Sequence, residues 1–198
     1  QSMLFSGISM VIARLIAGWG AAAVAVQKLG SQIESISWMT AEGYAAALNS
    51  FVAQNHGAKN TDRIREGYRL SMIVMLSWGV FCSFVLIVFP QLIFQVFIQE
   101  AEVLPMGVDY LRILGVSQLF MCMEITTAGA FSGLGKTLPP SIVSITLTGA
   151  RIPMAILLGR WLGLNGVWWA ITISSIGKGI VLLGWFLKDM KRAGMPER

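Results

Sequence analysis

Six long apolar stretches run along the chain, separated by shorter segments that are richer in charge. They cover about residues 2–18, 21–53, 68–89, 108–132, 139–159 and 164–187. A helix of about 17–25 residues crosses the hydrocarbon core of a bilayer, so each stretch is long enough to span. The alternating ten-residue segments typical of a membrane β-barrel do not occur. The pattern predicts an all-α integral membrane protein built as a bundle of six transmembrane helices.

The composition supports a membrane protein and excludes a soluble domain. The 198 residues are 55% hydrophobic and only 13% charged, whereas soluble domains carry about 25% charged residues. The two cysteines, Cys82 and Cys122, lie in apolar runs without CxxC spacing, which favours small buried hydrophobes over metal ligands or a disulfide. The apolar start at Gln1, without an initiator methionine, predicts that the sequence is part of a longer protein.

Basic residues are concentrated on one predicted side of the membrane. With six spans, nine fall together: Lys59, Arg63, Arg65 and Arg69 in the 54–69 loop, Lys136 in the next loop on that side, and Lys188, Lys191, Arg192 and Arg198 in the tail. The other side has Arg112 and Arg160, with Glu100, Glu102 and Asp109. Excess lysine and arginine mark the cytoplasmic side. We therefore expect cytoplasmic termini in the cell (inner) membrane, and no nucleic-acid partner for the net charge of +5.

The second apolar stretch carries a polar stripe. At about 100° per residue, seven polar side chains share an arc of about 120°. They are Gln27, Lys28, Ser31, Glu34, Ser35, Glu42 and Asn49, and Trp38 lies in the same arc. Carboxylates beside an aromatic ring suit a cationic, partly apolar ligand in a wet cavity. A polar seam packed against protein explains the stripe equally well.

Glu124 is an isolated charge within an apolar run. It stands in FMCMEITTAG, residues 120–129, with no lysine or arginine within a helical turn. A carboxylate at the centre of a membrane helix costs about 3 kcal/mol on insertion scales. Six further ionisable residues lie inside the stretches: Arg14, Lys28, Glu34, Glu42, Arg151 and Lys178. Each is either a functional group or one member of a structural ion pair.

Nothing in the sequence assembles a catalytic site. The only histidine, His56, lies in a predicted cytoplasmic loop, away from any serine within the membrane. Gly133-Leu-Gly-Lys136-Thr137 lacks the first glycine of a phosphate-binding loop, because Ala130 stands there. We therefore expect neither an enzyme nor a cofactor.

Several motifs resemble the multidrug and toxin extrusion (MATE) transporters, and they occur in order along nearly the whole chain. Phe51-Val-Ala-Gln-Asn-His-Gly-Ala-Lys-Asn60 resembles the GQNxGAxx signature that follows the second helix of each half. Ala130-Phe-Ser-Gly-Leu-Gly-Lys-Thr-Leu-Pro-Pro140 resembles the loop after the tenth helix. Arg151-Ile-Pro153 and Gly163-Leu-Asn-Gly-Val-Trp168 are similar to the eleventh helix and the entry to the twelfth, and Ile33-Glu34-Ser35 is similar to the eighth.

The resemblance implies that the chain is the C-terminal half, helices seven to twelve, of a twelve-helix antiporter. An N-terminal six-helix bundle is then the expected partner, together with membrane lipid and a small cationic substrate. The family exports cationic, amphipathic compounds in exchange for Na⁺ or H⁺ across a cavity between its two halves. The coupling ion is thus Na⁺ or H⁺, and a chain with one half alone should not transport.

The expected cation site departs from the family pattern. An acid frequent in the seventh helix corresponds to Phe5, and one frequent in the tenth corresponds to Met121, one turn before Glu124. The site is then shifted, shared with Glu34 or located in the other half, with Na⁺ possible at Glu124 or Glu34. We predict that these two carboxylates face the cavity and alternate between holding an ion or proton and attracting the substrate. The predicted binding residues are Gln27, Ser31, Glu34, Trp38, Glu42 and Glu124.

Two other functions remain open from the sequence. A flippase for lipid-linked glycan precursors, which shares the same superfold, needs arginines for pyrophosphate, and Arg14 and Arg151 are the candidates. The acids Glu34, Glu42 and Glu124 favour cation export instead. A six-helix membrane protein that does not transport, and acts as a partner or scaffold, is the second alternative.

Overall fold

A computed structural model describes residues 2–97 and 102–193, without the side chains of Ser2, Arg192 and Ala193. The described chain consists of helices joined by short turns. They are α1 (Ser2–Ala17), α2 (Ala21–Gly57), α3 (Thr61–Val88), α4 (Pro90–Phe97), α5 (Leu104–Gly133), α6 (Leu138–Leu162) and α7 (Leu164–Ala193). Six are long, and one covers each predicted apolar stretch. The prediction of an all-helical membrane bundle is confirmed.

Apolarity and length agree with a multi-pass membrane protein. Among the described residues, four helices are long and apolar enough to cross a bilayer: α3, α5, α6 and the Leu164–Lys191 part of α7. α1 is apolar but shorter, with Met3–Ala17 as its apolar part. α2 is the longest helix, at 37 residues, and contains the polar stripe. The stripe lowers its mean hydropathy because about a third of its circumference is polar.

The predicted 54–69 loop is wrong. α2 continues to Gly57 and α3 begins at Thr61, so the connection is only three residues long. Asn60 caps α3, its side chain accepting a hydrogen bond from the Arg63 amide at 3.3 Å. The helices extend because their polar ends reach beyond the apolar core, where apolar periodicity gives no signal. For the same reason α7 continues to Ala193 instead of ending near residue 187.

The short helix α4 was not predicted. It begins at Pro90, where the sequence indicated the end of the third span. Proline is favoured at the first position of a helix, where its missing amide hydrogen costs nothing. Phe94 is fully buried in α4, and Gly107 of α5 leaves room for its ring. Glu100, part of the predicted charge pattern, and Arg198 lie outside the described residues.

α5 is the central helix, packed against α2, α3 and α7. Its glycines allow these close approaches. A Cβ at Gly129 would lie 2.7 Å from the Ala45 carbonyl oxygen, and one at Gly133 would lie 2.7 Å from that of Asn49. Gly129 and Gly133, which are four residues apart, therefore form the α2–α5 contact, as small residues do in membrane bundles.

The basic segments meet at one end of the bundle. The Arg65 side chain of α3 donates a hydrogen bond to the Met190 carbonyl of α7. Lys136, in the turn between α5 and α6, lies 3.3 Å from an Asp189 carboxylate oxygen, also on α7. Beneath these contacts, Tyr68, Phe131 and Phe186 form a buried aromatic cluster. The Phe186 ring centroid lies 4.1 Å from that of Tyr68 and 5.1 Å from that of Phe131. This arrangement agrees with the prediction that these basic residues share one side.

We expect Gly129→Ala to destabilise the bundle by about 1–3 kcal/mol, the usual cost of overpacking a rigid contact. The added methyl group meets a carbonyl oxygen of α2, which cannot rotate away. Gly149→Ala in α6 is the matched control, since a Cβ there meets nothing within 4 Å. Thermal unfolding in detergent compares the two variants, and equal midpoints would contradict the packing described here.

Candidate functional site

A cavity of about 710 Å³ opens between α1, α2, α5, α6 and α7. Its ionisable lining residues are Glu34, Glu42, Glu124, Arg151 and Lys178. Arg151 and Lys178 stand near the middle of α6 and α7, and Glu34 and Glu124 lie about a turn and a half from the middle of α2 and α5. The charges therefore gather at mid-height of the bundle, the depth at which transporters of inverted or parallel repeats bind their cargo.

Glu124 is paired, which corrects the prediction of an isolated charge. Its Oε2 lies 3.7 Å from Nζ of Lys178 on α7, and the side chains are 18% and 7% exposed, respectively. Lys178 is itself one of the ionisable residues that the sequence places inside an apolar stretch, and the sequence indicates no partner for it. The pair went unnoticed because the sequence shows neighbours only along one helix, whereas this partner lies across the α5–α7 contact.

Gly179 brings the helices of this ion pair together. A Cβ at Gly179 would lie 2.6 Å from the Phe120 carbonyl oxygen of α5. Phe120 is one turn before Glu124, and Gly179 directly follows Lys178. The small residue thus lets α7 approach α5 at the level where the lysine must reach the carboxylate.

Arg151 is held by two serines of α7. Its Nε donates to Ser174 Oγ at 2.5 Å and its Nη2 to Ser175 Oγ at 3.0 Å. The guanidinium also interacts electrostatically with Glu34 and Glu124. A guanidinium has five N–H donors, so donors remain for a ligand in the cavity after both serine contacts.

Glu34 has a neutral hydrogen-bonding partner. Gln118 Nε2 of α5 donates to Glu34 Oε1 at 3.3 Å and also to the Leu114 carbonyl at 3.4 Å. The Gln118 side chain is fully buried, and its Oε1 has no hydrogen-bond partner among the described residues. The amide therefore orients the carboxylate and presents a buried acceptor of its own beside it.

Aromatic and hydroxyl groups complete the lining. Phe5 and Trp38 are 43% and 42% exposed, and the Phe5 ring centroid lies 5.9 Å from Lys178 Nζ. Serines from four helices also line the cavity: Ser6, Ser31, Ser35, Ser144 and Ser175. The surface combines carboxylates, cations, ring faces and hydroxyls, as sites for amphipathic ions do.

The cavity includes five of the six predicted binding residues: Ser31, Glu34, Trp38, Glu42 and Glu124. Gln27 is not among the lining residues. It lies about one turn before Ser31 in α2 and is half-buried. Arg14, the second arginine considered for a flippase, is exposed and does not line the cavity.

Eleven lining residues were missing from the predicted site, and four of them bear on its charge. Phe5 and Met121 occupy the positions where the resembling family often keeps an acid, and both face the cavity. Lys178 was recognised only as an intramembrane charge, and Arg151 as such a charge and as a pyrophosphate-binding candidate of the flippase alternative. An ionisable residue in a membrane span is a functional candidate by default. By that rule the two cations, like the acids, are candidates for the site.

The described residues contain no group of three or more histidine, cysteine, aspartate or glutamate side chains that could hold a metal ion. The carboxylates instead face an ammonium group and an amide. This arrangement allows Glu124 to exchange its partner. A cation that enters the cavity competes with Lys178 for the Glu124 carboxylate, and Glu34 lines the same cavity.

Several known proteins are similar to this chain over most of its length. A probable multidrug resistance protein NorM of Thermotoga maritima is 29% identical over 202 residues, which cover 98% of this chain and 43% of the relative. A protein of the same description from Mesorhizobium japonicum is 27% identical over 84% of this chain and 38% of its own length. A crystal structure of MATE in the straight conformation superposes with a TM-score of 0.89 at 20% identity, covering 97% of this chain and 44% of that one. The chain spans less than half the length of these proteins, and the fold is that of membrane transporters, not enzymes.

The family follows from the sequence match. The family model described as MatE matches residues 1–157. The chain belongs to the MatE family.

We expect Lys178→Met to destabilise the bundle by about 3 kcal/mol, the lower end of the cost of breaking a buried pair, because it leaves the half-buried Glu124 carboxylate without its cation. The double variant Lys178→Met with Glu124→Gln should recover most of this loss, which a double-mutant cycle on the free energy of unfolding would show. Lys136→Met is the control, since Lys136 is 52% exposed in its pair with Asp189 and should cost under about 1 kcal/mol. Additive single effects in the cycle would show that the 3.7 Å contact carries no coupling.

Proposed function

We propose that the chain is the C-terminal half of a secondary active exporter that moves cationic, amphipathic compounds out of the cell in exchange for Na⁺ or H⁺. The observation that carries this proposal is the cavity at mid-height, in which the Glu124 carboxylate forms an ion pair with Lys178 of the same cavity. A carboxylate held this way is available to a competing cation without any rearrangement of the backbone.

The charge balance of the cavity favours a cation as cargo. Three carboxylates, Glu34, Glu42 and Glu124, face two cations, Arg151 and Lys178. The lining therefore carries one net negative charge when all five are ionised. A monovalent cation neutralises this excess, whereas an anion would have to bind against it.

The aromatic lining supplies the apolar part of the site. A quaternary ammonium or other organic cation placed near Trp38 and Phe5 gains attraction from the negative ring faces, worth about 0.5–2 kcal/mol per contact. Both rings are partly exposed and belong to different helices, α1 and α2. A ligand in the cavity can therefore contact rings from both helices.

The coupling step uses the same carboxylates. When a cation occupies Glu124, Lys178 is displaced and its charge repels any second cation. Proton or Na⁺ binding at Glu34 or Glu124 removes the negative charge that attracts the cargo and favours its release. Either coupling ion therefore competes with the substrate, which is the requirement for antiport.

The N-terminal six-helix bundle is the proposed partner across the cavity. α1 and α2 expose apolar side chains beside the cavity mouth, including Met3, Leu4, Ile36 and Met39, which are 54–89% exposed. A second bundle against these helices would enclose the cavity and allow access to alternate. In this arrangement both termini are cytoplasmic and the protein lies in the cell membrane, as the basic residues predict.

One observation favours a second candidate, export or flipping of an anionic lipid-linked precursor. Arg151 and Lys178 both face the cavity, and Arg151 retains free donors for a pyrophosphate. Variants that neutralise the charged side chains distinguish the two functions. A cation exporter depends on Glu34 and Glu124. A pyrophosphate carrier depends on Arg151 and becomes more active when the acids are removed.

We predict that Glu34→Gln and Glu124→Gln each reduce ethidium export at least tenfold in cells that express the transporter with both halves, because each removes a charge that the cargo needs. Glu66→Gln is the matched control: Glu66 is an exposed glutamate of α3 outside the cavity. Wild-type export in both cavity variants would remove the proposal. Faster movement of a lipid-linked pyrophosphate in the same variants would support the second candidate instead.

We predict that a single imposed gradient drives export in proteoliposomes, either Na⁺ or protons, and that the cavity variants lose the response to that gradient. The sodium and pH gradients are imposed separately, and ethidium movement is followed by fluorescence. A response that persists in Glu34→Gln and Glu124→Gln would place the coupling site outside this half.

A further inference from the structure

A second cavity lies between α3 and α7, away from the charged cavity. It encloses about 920 Å³, near the upper limit of the roughly 300–1,000 Å³ usual for small-molecule sites. α3 contributes Arg65, Tyr68, Arg69, Met72, Ile73 and Leu76, and α7 contributes Leu183, Phe186, Leu187, Met190 and Lys191. Spacings of three and four residues place each set on one helix face. We call this feature the α3–α7 groove.

The groove is apolar along its length and basic at one end. Arg65, Arg69 and Lys191 lie at the end where the basic segments meet, and no acidic residue lines it. Asp189, the acid nearest to Lys191 in α7, is engaged by Lys136. Within the part of the chain that the structure describes, Arg69 and Lys191 form no ion pair. The groove therefore offers uncompensated positive charge above an apolar channel.

Contacts between helices form the floor of the groove. Tyr68 and Phe186 meet there at a centroid distance of 4.1 Å, and the Tyr68 hydroxyl shares a 2.8 Å hydrogen bond with Thr127 Oγ1 of α5. Arg65 joins the two helices at the basic end through the Met190 carbonyl. α3 and α7 are thus tied at the floor and at one end, and an occupant enters an existing space between them.

The dimensions of the groove match one leaflet of a bilayer. From Arg65 to Leu76 the α3 face rises through eleven residues, about 16 Å at 1.5 Å per residue. Half of a hydrocarbon core of roughly 30 Å is about 15 Å. A membrane-spanning helix of a partner would need a groove about twice as long. The channel therefore accommodates an acyl chain that hangs from a headgroup at the basic end.

The outer wall of the groove continues into surface suited to lipid. Ile73 and Leu187 are 55% and 53% exposed, and α3 goes on to expose Val80, Phe81 and Phe84 at 55–58%. α3 contributes no residue to the charged cavity. The groove thus opens on the side of the bundle that α3 presents to hydrocarbon, so a bilayer lipid can reach it laterally.

We propose that the α3–α7 groove is a binding site for one anionic phospholipid, with an acyl chain between the two helices and the phosphate between Arg65, Arg69 and Lys191. The three cations present N–H donors that phosphate oxygens accept, and basic pockets between membrane helices select anionic headgroups for this reason. The bound lipid ties the start of α3 to the end of α7.

The test is lipid binding to the purified chain in detergent, measured by native mass spectrometry with phosphatidylglycerol and phosphatidylcholine of identical acyl chains. We expect one tightly held phosphatidylglycerol per chain, in preference to phosphatidylcholine. The headgroup alone, glycerophosphoglycerol, should not compete. Competition by the headgroup would show a simple anion site and overturn the proposal.

Arg69→Gln and Lys191→Gln should each weaken phosphatidylglycerol binding about fivefold, with the phosphatidylcholine signal unchanged, since a basic residue near a lipid surface contributes about that factor. Lys188→Gln is the matched control: it removes the same charge from an exposed position of α7 that does not line the groove. All three side chains are exposed, so folding should be retained, and thermal unfolding checks it.

Leu76→Trp tests the apolar part by filling the inner end of the groove, and it should reduce retention of both lipids. The proposal is overturned if Lys188→Gln weakens binding as much as Arg69→Gln and Lys191→Gln do. It is equally overturned if the groove variants leave binding unchanged, or if they instead abolish a dimer of the chain, which would make the occupant a second copy.

Discussion

Charge compensation inside the bundle is the constraint on which the rest of the structure depends. Glu34, Glu124, Arg151 and Lys178 stand at mid-height, where an uncompensated charge costs about 2.5–3.5 kcal/mol even on the mildest insertion scales. Each acquires a partner only from another helix: Lys178 for Glu124, Gln118 for Glu34, and two serines for Arg151. The polar interior is thus a set of contacts between helices, and it fixes which faces of α2, α5, α6 and α7 turn inward.

Small residues make that compensation possible. α5 lies at the centre because it packs closely against a helix on each side. Gly129 and Gly133 of α5 let the α2 backbone come close, and Gly179 of α7 lets α7 come close to α5. With larger side chains the helices would separate, and a 3.7 Å ion pair would open. Packing and electrostatics therefore act together here, with the glycines determining the distance across which the charges interact. The hydroxyl and ring groups then line what space remains.

Much of the fold was accessible from the sequence because its signals are periodic and local. Apolar length identified the long helices, and the stripe on α2 placed Ser31, Glu34, Trp38 and Glu42 on one face, where the structure also has them. What failed needed information from across the bundle. The partner of Glu124 lies on α7, and nothing in FMCMEITTAG points there. Helix ends were misjudged where polar turns extend beyond the apolar core. α4 was missed because it begins at Pro90, directly after the third apolar stretch.

The most direct test of the central claim is the distance between Lys178 Nζ and the Glu124 carboxylate carbon in lipid bilayers, measured by solid-state NMR dipolar recoupling on labelled lysine and glutamate. The measurement uses the transporter with both halves, with Lys178→Gln to assign the signal. Without cargo, the coupling should correspond to the close pair seen here. On saturation with tetraphenylphosphonium, the coupling should be lost as the cation takes the place of Lys178. A coupling that persists while the cation is bound would contradict partner exchange at Glu124.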